Sequence, residues 1–222
     1  LTDVTGVQTC ALPICYLNDL LTDKKRIYSA AYIMAPGKLS PELNRKHSNH
    51  LKLLEMMIKD KVHERIIKVK RFQDVYDLLI QYPMIGPFLG YQFSIDLNYS
   101  EMINFSENEF VIPGPGALSG IAKCFEDTAG FSNVEIIKFM KDRQEFEFKR
   151  LELDFQSLWG RPLTLIDCQN IFCEVDKYTR ISFPEVKGRN DRKKIKQIYK
   201  PNNEKIKTYW YPPKWGINDA IS

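Results

Sequence analysis

The residues of this chain best suited to chemistry fall in one stretch, Leu165–Arg180, which reads LIDCQNIFCEVDKYTR. Within about four turns of predicted helix it carries Asp167, Gln169, Asn170, Cys173, Glu174, Asp176, Lys177 and Arg180. An ordinary solvent face uses long, flexible Lys and Glu. Short polar groups set among apolar ones are the kind that line a site. At about 100° per residue, Gln169, Cys173, Asp176 and Arg180 share one stripe of the helix, and Asn170, Glu174 and Lys177 the stripe beside it. The plain alternative is a surface helix stapled by Glu174–Lys177 and Asp176–Arg180 ion pairs, each contributing about 0.3–0.5 kcal/mol.

Two glycine-bearing turns suit anion binding. Tyr82-Pro83-Met84-Ile85-Gly86-Pro87 joins two predicted helices and resembles the turn of a helix-hairpin-helix element, in which backbone N–H groups at a helix amino terminus face a phosphate. Met84 stands where that turn usually has its first glycine, which weakens the phosphate contact. Gly114-Pro115-Gly116-Ala117 precedes a second predicted helix, and such a loop can cradle a phosphate or let a base approach the backbone. The competing readings are an ordinary helical hairpin and a Pro/Gly connector. Neither a GxxxxGK[ST] loop nor a strand-borne GxGxxG is present, so no nucleotide site of its own and no cofactor is expected.

A third feature is the carboxy-terminal charge. From Lys187 to Lys207 nine bases face two acids, whereas the whole chain carries only +4. Arg189, Arg192, Lys193, Lys194 and Lys196 are followed by Tyr199, Tyr209, Trp210, Tyr211 and Trp215. Bases interleaved with aromatics suit phosphate contact and base stacking, and the expected partner is a polyanion. A solvated tail is the alternative.

The elements that must position these groups are helical. Apolar periodicity predicts helices over 16–33, from Ser40-Pro41 onward with Ser40 as N-cap, and over 72–80, 88–97, 118–125, 133–155 and 163–178. No stretch alternates as a strand does. No apolar run reaches membrane-spanning length, and no secretory leader is visible, so a cytoplasmic setting is expected. Cys124, Cys168 and Cys173 form no CxxC pair and read as free thiols, and His47 and His50 read as surface helix residues; no metal site is expected. Val4–Ile14, VTGVQTCALPI, resembles a translated sequencing adapter. Residues 1–15 are therefore set aside as non-native, and a native amino terminus is expected to be missing. The domain reading is 16–186 as one helical, base-handling domain and 187–222 as a basic aromatic tail.

Taken together, YPMIGPFLGYQFSIDLNYS, FVIPGPGALSGIAKCF and LTLIDCQNIFCEVDKYTR resemble the helical domain of the 5-hydroxymethyluracil DNA kinase family, related to the α-glutamyl/putrescinyl-thymine pyrophosphorylases. The resemblance spans roughly Ile27–Tyr199. It implies a mainly α, helix-hairpin-helix glycosylase-like domain with a basic tail. It also implies DNA as partner, with Gly86, Gly114, Gly116, Gln169, Asn170, Arg189, Arg192, Lys193 and Lys196 on the DNA side. Handling a base in duplex DNA requires flipping it out. The implied activity is phosphoryl or pyrophosphate-displacing transfer at the 5-hydroxymethyl group. That chemistry needs a carboxylate for proton transfer and cations for anion stabilisation. Asp167, Glu174 and Asp176 fill the first role and Lys177, Arg180 and Arg161 the second, with Asp96 a further acid. The alternative is a non-catalytic module that presents the base to a separate P-loop kinase, a reading favoured by the absence of a P-loop.

Overall fold

A computed structural model describes residues 6–23, 27–28, 34, 36–40, 42–189, 193–195, 201 and 209–221, with the backbone alone for 6–13. The described residues are mainly α, as the periodicity predicts. They form eight helices: α1 (Gly6–Thr22), α2 (Lys46–Lys59), α3 (Val62–Lys68), α4 (Phe72–Leu79), α5 (Pro87–Tyr99), α6 (Pro115–Cys124), α7 (Asn133–Arg150) and α8 (Leu165–Ser182), followed by 3₁₀ turns at Pro213–Trp215 and Asn218–Ala220. Pairing of the β type is confined to one bridge between Leu158 and Arg161 among the described residues. The chain divides into two compact units, Leu1–Ser94 and Ile95–Ser222.

In the first unit, α1 runs through the adapter-like string. α2 begins at Lys46 rather than after Ser40. The cause is Asn49. Its amide donates to the Leu43 and Arg45 carbonyls at 2.8 and 3.0 Å and its carbonyl accepts from the Leu39 N–H at 2.7 Å. These bonds hold Leu39 and residues 43–45 out of the helix, and Ser40 serves a local turn with Glu42 instead of capping a helix. His47 and His50, expected on the surface, are engaged: His47 is buried and bonds Asn18 at 2.9 Å, and His50 bonds the Tyr28 hydroxyl at 2.9 Å. Burial, then Arg45 and His50, lowers the His47 pKa. Leu53, Ile66, Phe72, Val75 and Leu79 supply buried core positions of α2 to α4.

In the second unit, Asn98 at the end of α5 holds the irregular segment that follows, donating to the Phe105 carbonyl at 3.1 Å and accepting from its N–H at 2.9 Å. α7 starts at a capping box: Ser132 N–H donates to the Glu135 carboxylate at 2.8 Å and Glu135 N–H to the Ser132 hydroxyl at 3.3 Å. Gln144 of α7 then pairs both ways with the backbone of Leu163 at 2.7 and 3.0 Å, fixing the approach to α8.

α6 packs chiefly on α8. The approach is closest at Gly120, where an added Cβ would lie 2.0 Å from the Phe172 carbonyl oxygen. Ala117, Ile121, Leu165, Ile166 and Phe172 are buried around this joint.

Candidate functional site

The α6–α8 joint sorts the two polar stripes of α8. Gln169 and Asp176 are buried at 1 % exposure each, and Cys173 and Arg180 are half-buried. Asn170 is exposed, and the adjacent Glu174–Lys177 pair closes at 2.5 Å on side chains that are 66 % and 42 % exposed. One stripe therefore faces α6 and the other faces solvent.

The inner stripe builds two connections. Gln169 accepts from the Gly114 N–H at 3.2 Å and from the Cys173 thiol at 3.4 Å, and its amide donates to Asn170 at 2.8 Å. Gly114 is the N-cap of α6, with Pro115 at the first helical position. A Cβ on Gly116 would sit 3.0 Å from the Cys173 sulfur. The PGPG loop, whose sequence suggested a phosphate cradle, is thus tied to α8 through Gln169 and Cys173. Burial raises the Cys168 and Cys173 thiols to about 11 each, so both are protonated and unreactive near neutral pH.

One turn further along, Asp176 receives three partners. Ser119 donates to its Oδ1 at 2.7 Å, Lys123 Nζ pairs with the same oxygen at 3.0 Å, and Arg180 pairs with Oδ2. Lys123 also donates to the Asp176 carbonyl at 3.2 Å and to the Thr179 hydroxyl at 2.8 Å. Burial alone would raise the Asp176 carboxyl. The hydrogen bonds from Ser119, Lys123 and Arg180, with the Arg180 charge, outweigh it and hold its pKa below the ordinary carboxylate value. Arg180 Nη1 also donates to the Lys194 carbonyl at 3.3 Å, and Gly188 lies close against Ser119 and Lys123. Gly188 and Lys194 thereby touch the joint, while Lys187, Arg189, Lys193 and Lys194 stay exposed. Arg192 and Lys196 lie outside the described residues.

A second polar cluster forms at the start of α8. Asp167 accepts from the Thr164 N–H at 2.8 Å, from the Thr164 hydroxyl at 2.9 Å and from Arg161 at 3.0 Å. Arg161 reaches the buried Glu107 at 2.5 Å with its other nitrogen. Glu107 also accepts from the Trp215 indole at 2.6 Å, and the Arg161 guanidinium lies 4.0 Å over the Trp215 ring. Lys214 donates to the Phe105 carbonyl at 3.4 Å. Burial, followed by the charges of Glu107 and Asp167, pushes the Tyr99 phenol well above its usual value.

The remaining selected residues lie apart from these clusters. Gly86 is exposed at the entry to α5, and a Cβ there would meet nothing within 4 Å. Met84, at the position usually held by glycine, adopts φ 68°, so the turn keeps the left-handed geometry that glycine serves. Asp96 is exposed on α5. A cleft of about 500 Å³ lies between α3 and α4, lined by Arg65, Lys68, Asp74, Asp77 and their neighbours; none of the sequence-selected residues lines it.

Sequence reasoning missed Glu107, Ser119 and Lys123. A usable signal existed for the last two: Ser119 and Lys123 are one turn apart on the otherwise apolar GALSGIAKC helix, and so share a face. Glu107 sits in an irregular segment where no periodicity marks it.

Among the described residues these features define a mainly α protein whose second unit holds an α6–α8 joint tied by buried ion pairs, with exposed bases beside it. A family model described as the helical domain of 5-hmdU DNA kinase matches residues 15–188, most of the chain, and the chain belongs to that family. Among curated proteins, the 5-hmdU DNA kinase of Bacillus phage SP10 is 25% identical over 165 residues, covering 68% of this chain and 26% of the relative. The chain thus spans about a quarter of the length of that relative. No solved structure matches it. Among the described residues, no helix is long and apolar enough to cross a membrane.

Proposed function

We propose that residues 16–222 form a non-catalytic DNA-engaging helical module that presents a 5-hydroxymethyluracil-derived base to a separate P-loop kinase, in which the transfer chemistry resides. Residues 1–15 stay set aside as adapter-derived. The observation that carries this reading is the commitment of the inner acids. Asp167 is held by Arg161, and Asp176 by Lys123 and Arg180, so neither is free to move a proton to or from a substrate. The exposed bases Lys187, Arg189, Lys193 and Lys194, near the contacts that Gly188 and Lys194 make with the α6–α8 joint, supply the cationic surface a phosphate backbone requires. Gly86, the PGPG loop, Gln169 and Asn170 then act as supports or edges of that surface.

A second reading, a transferase in its own right, has one observation in its favour. Glu174 and Lys177 form an acid–base pair that solvent and substrate can reach. The experiment that separates the two incubates the purified chain with 5-hydroxymethyluracil DNA and ATP, followed by nucleoside mass spectrometry. The module reading expects unmodified nucleosides. Product formed by the chain alone, and lost in Glu174→Gln or Lys177→Met, would replace it with the catalytic reading.

A further inference from the structure

The connector before α8 holds an unusual turn. Trp159 and Gly160 both have positive φ, 50° and 84°. The Arg161 N–H donates to the Leu158 carbonyl at 3.1 Å, closing a two-residue turn of the type I′ pattern. That turn favours Asn-Gly or Asp-Gly, because its first central residue must adopt a left-handed backbone. Here a tryptophan occupies the place, at a conformational cost. Its ring is not spent on the core, for Trp159 is 47 % exposed.

What the ring joins is an aromatic ladder. Trp159 meets Tyr211 edge-on at 5.7 Å, Tyr211 stacks on Trp215 at 5.9 Å, and Trp215 meets Tyr99 edge-on at 5.4 Å. The inner end is fixed by the Trp215–Glu107 hydrogen bond and by Arg161 beneath the Trp215 ring. Asn218 locks the segment carrying Tyr211, accepting from the Tyr211 N–H and donating to its carbonyl, each at 2.9 Å. The outer end is open, and Trp210, next to Tyr211 in sequence, is 74 % exposed. Held rings with an open outer edge match the need of a planar base for a π-face to stack on.

We propose that Trp159 is the outer ring of a platform that stacks an unpaired base of DNA. This rests on the DNA-engaging reading above and adds to it the state of the base that is recognised. Trp159→Asn is the informative variant, because it installs the Asn-Gly pair that the turn prefers while removing the ring. Binding of the full chain is measured by fluorescence anisotropy on a fully paired duplex and on the same duplex with one bulged thymine. The expected result for Trp159→Asn is an unchanged or higher melting temperature, paired-duplex affinity within about twofold of the parent, and bulge affinity lower by about tenfold or more. Trp159→Tyr, which keeps a ring, retains most of the bulge affinity. A lowered melting temperature in Trp159→Asn would assign the ring a structural role and overturn the platform. Equal affinity of parent and Trp159→Asn for the bulge would overturn it while leaving the DNA-engaging reading intact. Failure of the parent to bind either duplex would remove both.

Discussion

Asp176→Asn tests whether α8 uses its buried acid to hold the fold. The substitution keeps the shape of the side chain and an oxygen that can accept from Ser119, and removes only the charge. Asp176 is 1 % exposed, and the Lys123 and Arg180 side chains are 5% and 11% exposed, so both cations would lose their shared counter-ion away from water. Breaking one partner of a buried pair costs about 3–5 kcal/mol. Lys123 keeps the Thr179 hydroxyl and the residue-176 carbonyl, which places the loss near the lower end, about 3 kcal/mol. With a urea slope of about 1–3 kcal/mol/M, the unfolding midpoint should fall by roughly 1–3 M.

The pH dependence supplies an independent check on the same residue. The Asp176 pKa is lower folded than unfolded, so its contribution is fully present above the unfolded value of about 4 and is lost as pH falls through the folded value. The parent should therefore show an acid-side loss below about pH 4 that Asp176→Asn lacks. Adding Lys123→Met to Asp176→Asn should recover part of the stability, because it removes one stranded cation. A loss under about 1 kcal/mol, or an identical acid limb in the variant, would refute the reasoning.

Other outcomes follow from the same geometry. Gly120→Ala should destabilise by about 1–3 kcal/mol in thermal or urea unfolding, since its Cβ would meet the Phe172 carbonyl oxygen and push α6 off α8. Glu174→Gln should change stability by less than about 0.5 kcal/mol, as expected for an exposed helix pair, when measured in the same way. His47 has a lowered folded pKa, so the unfolded chain binds more protons below about pH 6.5 and stability should fall on acidification from pH 7 to 5. His47→Asn should flatten that slope, measured as urea midpoint against pH.

Much of the fold was legible because local signals agree with packing. Phe72, Val75, Tyr76 and Leu79 recur at helical spacing and are all buried. Ser132 and Glu135 mark the start of α7 by chemistry alone. The start of α2 was not legible, because Asn49 reaches back to take the carbonyls of 43 and 45, and no local preference announces that. The two stripes of α8 were visible, but not which one turns inward. Both carry polar groups, and the choice is made by Ser119 and Lys123 on a different helix. Glu107 was invisible for a similar reason, since its partners Arg161, Trp215 and Lys214 lie far along the chain.

The most direct test of the central claim is binding of the chain to a 5-hydroxymethyluracil duplex, measured as affinity against salt concentration. Log affinity should fall linearly with log salt, with a slope of about −0.9 for each phosphate neutralised, made shallower by neutralising Arg189 and Lys193. Affinity that does not vary with salt, or no binding at low salt, would contradict it.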